Sequence, residues 1–384
     1  MQKIDLLSKK QPDYFPVIDF LRGLGALAIL VWHYHHFYFT QPYYGPKNGL
    51  PVWDFARQPF YDFLAPLYHH GGWAVQFFWL LSGFVFCFVY LEKSYRFKRF
   101  FILRFSRLYP LHLISLMLVL ILQYCSLYLV GQFQIIEIND AYHFFLNLFF
   151  IQHWGFQEGF SFNSPSWSVS IEELVYWAFF VVFMILDWRN LRVLYVVLIA
   201  VILFPIFELY ASAFLYFFVG VSLHLIQLRL NLKRLVWLIG IVGMLTLCSG
   251  SLKVLLTLGY ITLDTGSLLF SYYVALGYFL DVIFLLFFSF LILSAIWLDR
   301  SALLSNASGF FREVGSLTYP IYMLHLPVQI FILTIVTNYS ISRQYFDSEL
   351  VFCTYFLVVI SISRLCHRYI ERPAQKFIRR KYIT

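Results

Sequence analysis

An arginine opens the first apolar stretch of this chain and three histidines close it: Arg22, then His33, His35 and His36. Ionisable groups within an apolar run are costly, so they are natural places to look for chemistry. Arg22 and His33 are 11 residues apart, near three turns of 3.6 residues, which predicts one shared helix face with about 16 Å between them. Asp19 precedes Arg22 by three, a spacing at which the two can pair. A neutral imidazole titrating near ~6.5 suits general-base work on a hydroxyl at neutral pH. The plainer alternative has Arg22 snorkelling to an interface and His33 serving helix packing. His35 and His36 are expected nearer the outer end, at the interface.

Three more clusters stand out. Arg104 and Arg107 share a face at i and i+3 where a helix is expected to start, and two guanidiniums so placed suit bidentate recognition of phosphate. In the 163–177 stretch, Ser-Pro breaks the chain and Glu172 and Glu173 follow about a turn inside the next helix. Ser170 and Glu173 have capping-box spacing, which would make one glutamate local structure. Neighbouring helical residues differ by 100°, so Glu172 must point elsewhere and is the candidate for chemistry. Tyr322 and His325 stand three apart between Pro320 and Pro327, prolines expected to free backbone carbonyls that lipid cannot satisfy.

Other chemistries find no footing. His69, His70 and the first histidine group lack carboxylates or thiolates at ligand spacing, so no metal is expected. The five cysteines show no CxxC pair, and there is no GxGxxG, Walker loop, GxSxG or HExxH.

The elements that must position these residues are membrane helices. Of 384 residues, 61% are hydrophobic and 12% charged, with mean hydropathy +0.73, too little polar surface for a water-soluble globule. Spans of roughly 20 apolar residues are expected at 16–39, 73–91, 104–130, 167–187, 192–207, 210–229, 235–249, 272–298, 314–337 and 349–370, with a short apolar piece at 142–152. With the N-terminus in the cytoplasm, 24 of the 28 basic residues fall on that side, so the net charge of +8 reflects topology rather than a nucleic-acid partner. Ten spans put both termini in the cytoplasm and leave 40–72 as the longest outer segment, a candidate lid or acceptor surface. The N-terminus shows no cleavage site, and no repeat or appended soluble domain is evident, so residues 1–384 read as one integral-membrane domain.

In this order, six pieces of sequence resemble the acyltransferase family 3 membrane proteins. They are 18–26 with His33, 77–84, 104–110, 167–173, 318–325 and Glu371-Arg372-Pro373. The resemblance implies a ten-helix fold that takes an acyl group, usually acetyl from cytoplasmic acetyl-CoA, to a hydroxyl of a cell-surface or lipid-linked glycan. It implies catalytic roles for Arg22, His33, Asp19 and Glu172, CoA-phosphate binding by Arg104 and Arg107, and substrate contact by Tyr322 and His325. It also implies the inner membrane as location and allows a separate extracytoplasmic transferase as partner. Whether His33 acts as base or carries the acyl group stays open. A transporter or flippase would also show many spans with intramembrane Arg, His and Glu, but would favour inverted repeats, which are not seen.

Overall fold

A computed structural model describes residues 14–42, 54–90, 97–181, 208–257 and 269–382. Thirteen α-helices are described: α1 Pro16–Trp32, α2 Tyr61–His70, α3 Ala74–Tyr90, α4 Phe97–Val130, α5 Ala141–Leu148, α6 Trp167–Phe180, α7 Glu208–Arg229, α8 Leu232–Thr257, α9 Leu269–Ser301, α10 Ser308–Ser316, α11 Thr318–Asn338, α12 Glu349–Cys366 and α13 Arg372–Tyr382. Among the described residues no strand forms, only an isolated bridge between Ile138 and Ser161. Eight helical segments are long and apolar enough to cross a membrane, so the protein is an all-α, multi-pass membrane protein. The expected span 192–207, the end of 167–187 and residues 43–53 of the outer segment lie outside the described residues.

Three boundaries differ from expectation. α4 begins at Phe97 rather than 104, because the basic run is itself helical; at 34 residues it is about 51 Å long, well beyond a ~30 Å bilayer core. α8 runs 26 residues where a short span was expected. The outer segment 40–72 contains α2, which leads through a 3₁₀ turn at Gly71–Trp73 into α3.

The packing divides into two units. The first comprises 1–21, 76–93 and 188–312, the second 22–75, 94–187 and 313–384. In the first unit, α8 packs on α9, and α3 and α7 approach through glycines. A Cβ on Gly83 would lie 1.8 Å from the Phe217 carbonyl oxygen, and one on Gly220 would lie 1.8 Å from that of Leu80. Without a hydrophobic drive between helices in lipid, such backbone contact is a main source of association. Helix ends are satisfied by side chains: the Asp299 carboxylate accepts from the Val17 N–H at 3.0 Å, and Arg300 donates to the carbonyls of Gln227 and Leu230 at the end of α7.

In the second unit, α11 packs on α4 and on α12, while α13 lies along α4. The 131–166 connection carries α5, whose N-cap Asp140 accepts from the His143 N–H at 2.9 Å.

Gly83→Val is expected to lower the thermal stability of the purified protein in detergent by about 1–3 kcal/mol, because the backbone of α7 cannot yield. Gly220→Val should do the same. Gly240, on α8 with open space around its Cβ position, provides the control, and Gly240→Ala should stay within about ±0.5 kcal/mol.

Candidate active site

The α-helix of α1 stops one residue short of His33, and residues His33–Tyr38 continue as a 3₁₀ segment. The tighter winding eclipses side chains at i and i+3, so His33 lies by His36 with ring centres 4.9 Å apart. It also turns all three histidines inward: relative exposure is 7% for His33, 1% for His35 and 0% for His36. His35 and His36, expected near the outer end, are thus enclosed within the protein. Gln329 of α11 bridges the segment, donating from Nε2 to the His33 carbonyl and accepting at Oε1 from His36 Nδ1, each at 2.8 Å.

The same face of α11 brings His325 to His33. His33 Nδ1 lies 3.1 Å from His325 Nε2, and His325 Nδ1 lies 3.1 Å from the Ile321 carbonyl oxygen. A carbonyl can only accept, so His325 Nδ1 carries the proton and its Nε2 is an acceptor. His33 Nδ1 must then donate. With both rings neutral, the one lone pair left on the dyad is at His33 Nε2.

Proline sets the position of α11. Pro320 stands in the first turn, where its missing N–H has no intrahelical partner to lose, so the expectation that it frees a carbonyl is corrected. Pro327 does remove a bond, the one its residue would give to the Met323 carbonyl. The Asn163 amide replaces it, donating to Met323 O and to Ser115 Oγ, both at 3.0 Å. The Tyr322 hydroxyl donates to the Pro165 carbonyl and meets Ser168 Oγ, both at 2.6 Å. Tyr322 and Asn163 thus tie the Ser-Pro-Ser turn before α6 to α11.

Arg104 and Arg107 lie 7 and 10 residues inside α4, not at its start, as the early onset of the helix requires. Arg104 is 8% exposed, with its guanidinium 3.8 Å over the Tyr176 ring centre. Tyr176 in turn donates its hydroxyl to Glu172. Arg107 feels the charges of Arg22, Arg104 and Glu371, so three of the expected residues form one cationic cluster. Asp19 belongs to the first unit, where the Tyr14 hydroxyl donates to it.

Glu173 is the residue that sequence reasoning set aside. Ser170 sits well inside α6 and donates to the Phe150 carbonyl at 2.7 Å while accepting from the His153 N–H, so no capping box forms. Glu173 instead lines a cavity of about 720 Å³ with Arg104 and an aromatic wall of Phe101, Phe105, Tyr109, Trp154 and Trp177. Its Oε1 is buried without a hydrogen-bond partner among the described residues. The signal was present in the adjacent pair: two carboxylates deep in one apolar helix cannot both be caps. In the connection before α6, burial pushes the His153 imidazole down to about 4, which keeps it neutral at physiological pH.

A family model for an acyltransferase domain matches residues 15–368, nearly the whole chain. The chain belongs to this acyltransferase family. No curated protein and no solved structure matches it. The protein is a multi-pass membrane acyltransferase, and the matched range contains every residue of the histidine dyad and the arginine cluster.

Asn163→Ala strands the Met323 carbonyl, and the acyltransferase should lose about 1–3 kcal/mol of stability in a detergent melting experiment. Adding Pro327→Ala restores an N–H to that carbonyl. The double variant should therefore melt higher than Asn163→Ala alone; equal melting would refute the account of α11.

Proposed function

We propose that this acyltransferase moves an acetyl group from cytoplasmic acetyl-CoA to a hydroxyl of a cell-surface or lipid-linked glycan, acting in the inner membrane. The observation that carries the reading is the dyad, whose hydrogen bonds run from His33 Nδ1 to His325 and on to the Ile321 carbonyl, leaving the His33 Nε2 lone pair. That atom takes the proton of the acceptor hydroxyl as its oxygen attacks the thioester carbonyl carbon. The new C–O bond forms, the C–S bond breaks, and the proton passes from His33 to the departing CoA sulfur, giving the thiol and restoring the base. His325 acts as the positioning residue, because its acceptor nitrogen fixes which side of the His33 ring is protonated. It also stabilises the imidazolium that forms in transfer.

The arginines serve the donor. Arg22, Arg104 and Arg107 gather positive charge in one cluster, suited to the phosphates of CoA, which are polyanionic and need not cross the bilayer. The position of Arg104 and Arg107 inside α4, rather than at its start, shortens the reach required of the pantetheine arm. Glu172, bonded to Tyr176, holds the ring on which Arg104 stacks. His325 meets His33 while Tyr322, one turn away, holds the turn before α6, and a separate extracytoplasmic transferase is a partner of the scheme where the acceptor lies beyond the membrane.

Mass spectrometry of surface glycans tests this reading in cells expressing wild-type or variant protein at equal membrane levels. His33→Ala is expected to lower acetyl transfer by about 10²–10⁴-fold, the usual worth of a general base. His325→Ala should cost less, about 10-fold or more, since the base survives without its orienting partner. Full acetylation by His33→Ala protein would remove the dyad from the mechanism.

A further inference from the structure

The cavity beside Arg104 is walled on one side by a single helical stripe. Phe101, Phe105 and Tyr109 follow one another at i, i+4 and i+8 on α4, with ring centres 5.8 and 4.5 Å apart and planes tilted by 24° and 20°. Together they make an aromatic shelf. Trp177 of α6 meets one end of it, its ring centre 6.4 Å from that of Phe101. Trp154 also lines the cavity, and its indole is held in place, because Nε1–H donates to the Ser170 carbonyl at 2.9 Å. Flat rings fixed in advance receive another flat ring without paying to order themselves.

Arg104 and Glu173 are the charged side chains of the lining. Glu173 stands one turn after Ser170 and one turn before Trp177 on α6. The Trp154 N–H is already given to Ser170, and Glu173 Oε1 is buried with no hydrogen-bond partner among the described residues. A buried acceptor in that state is costly, and an N–H or O–H from a ligand removes the cost. A hydrocarbon chain would fill the space and leave the oxygen unmatched. A purine carrying an exocyclic amine answers both features: its faces stack on aromatic side chains, and its edge donates to a carboxylate. The cavity volume of about 720 Å³ lies within the range of cofactor sites. Its place agrees with a cytoplasmic ligand, since the shelf begins beside Lys98 and Arg99, at the end of α4 that the positive-inside rule assigns to the cytoplasm.

We propose that this cavity binds the adenine ring of the acyl donor, stacked on the α4 shelf, with Glu173 Oε1 accepting from the exocyclic amine. This deepens the CoA reading and rests on it. Glu173 is then the residue that distinguishes adenine from a base presenting a carbonyl in the same place, and it has no part in the chemistry at His33.

The test is calorimetric binding to the full-length protein in nanodiscs with three ligands. They are CoA, its hypoxanthine analogue, in which a carbonyl replaces the amine, and phosphopantetheine, which lacks the adenosine. Wild type is expected to bind CoA about 10-fold or more tightly than the hypoxanthine analogue, because a carbonyl set against a buried carboxylate leaves both without a donor. Glu173→Gln, whose amide can donate, should narrow or reverse that preference and leave phosphopantetheine binding unchanged. Phe105→Leu should weaken CoA binding about 10-fold through lost stacking, again without effect on phosphopantetheine. Equal wild-type affinity for CoA and the hypoxanthine analogue would overturn the proposal, as would a Glu173→Gln loss of equal size for CoA and phosphopantetheine. The wild-type comparison needs no variant, so it decides the matter even if Glu173→Gln fails to fold. Wild-type protein that binds none of the three would instead sink the donor reading itself.

Discussion

The arrangement of the second unit depends on one carbonyl that its own helix cannot satisfy. Lipid offers no water to the Met323 oxygen, so a backbone bond removed by Pro327 has to be supplied by another part of the chain. The Asn163 side chain supplies it, and in doing so joins the turn before α6 to α11. The Tyr322 bond to the Pro165 carbonyl adds a second tie in the same place. With α11 anchored on that side, its opposite neighbours are the histidines after α1, and Gln329 and His325 meet them through three hydrogen bonds. A helix breaker thus becomes the reason that residues 292 apart in sequence share a proton.

Charge is handled by the same rule. The first unit closes exposed helix ends with Asp299 and Arg300, while the second gathers guanidiniums and balances them with carboxylates and aromatic faces. Arg104 stacks over Tyr176 and Tyr176 donates to Glu172, so each of these groups limits the freedom of the next, while Glu371 is held separately by His367. Buried polar networks of this kind fix geometry when they are satisfied. Among the described residues Glu173 keeps a buried oxygen without a hydrogen-bond partner, and it lines the cavity together with Arg104.

Much of this was legible in the sequence, and the exceptions have physical causes. Apolar runs gave most described helices to within a few residues, whereas the nearness of Arg22 to Arg107 is tertiary and no spacing argument reached it. The 3₁₀ segment was invisible to a periodicity argument, because a change of winding after Trp32 leaves no trace in composition. That change is what buried His35 and His36. Residues 97–103 read as a charged loop since topology alone accounts for their lysines and arginines, yet they continue α4. His325 was recognisable as an intramembrane histidine, but its pairing with His33 is tertiary. So is the service of Asn163 to Met323, although Pro327 announced that some partner was required.

The anchoring of His325 on the Ile321 carbonyl has a further consequence for the dyad. A proton arriving at His33 Nε2 can be shared with His325, but it can go no further, because the far nitrogen of His325 is bonded to an oxygen that has no proton to pass on and nowhere to send one. The chain of hydrogen bonds is a cul-de-sac rather than a wire. Along the hydrogen bonds that run through His325, the pair therefore ends at the Ile321 carbonyl.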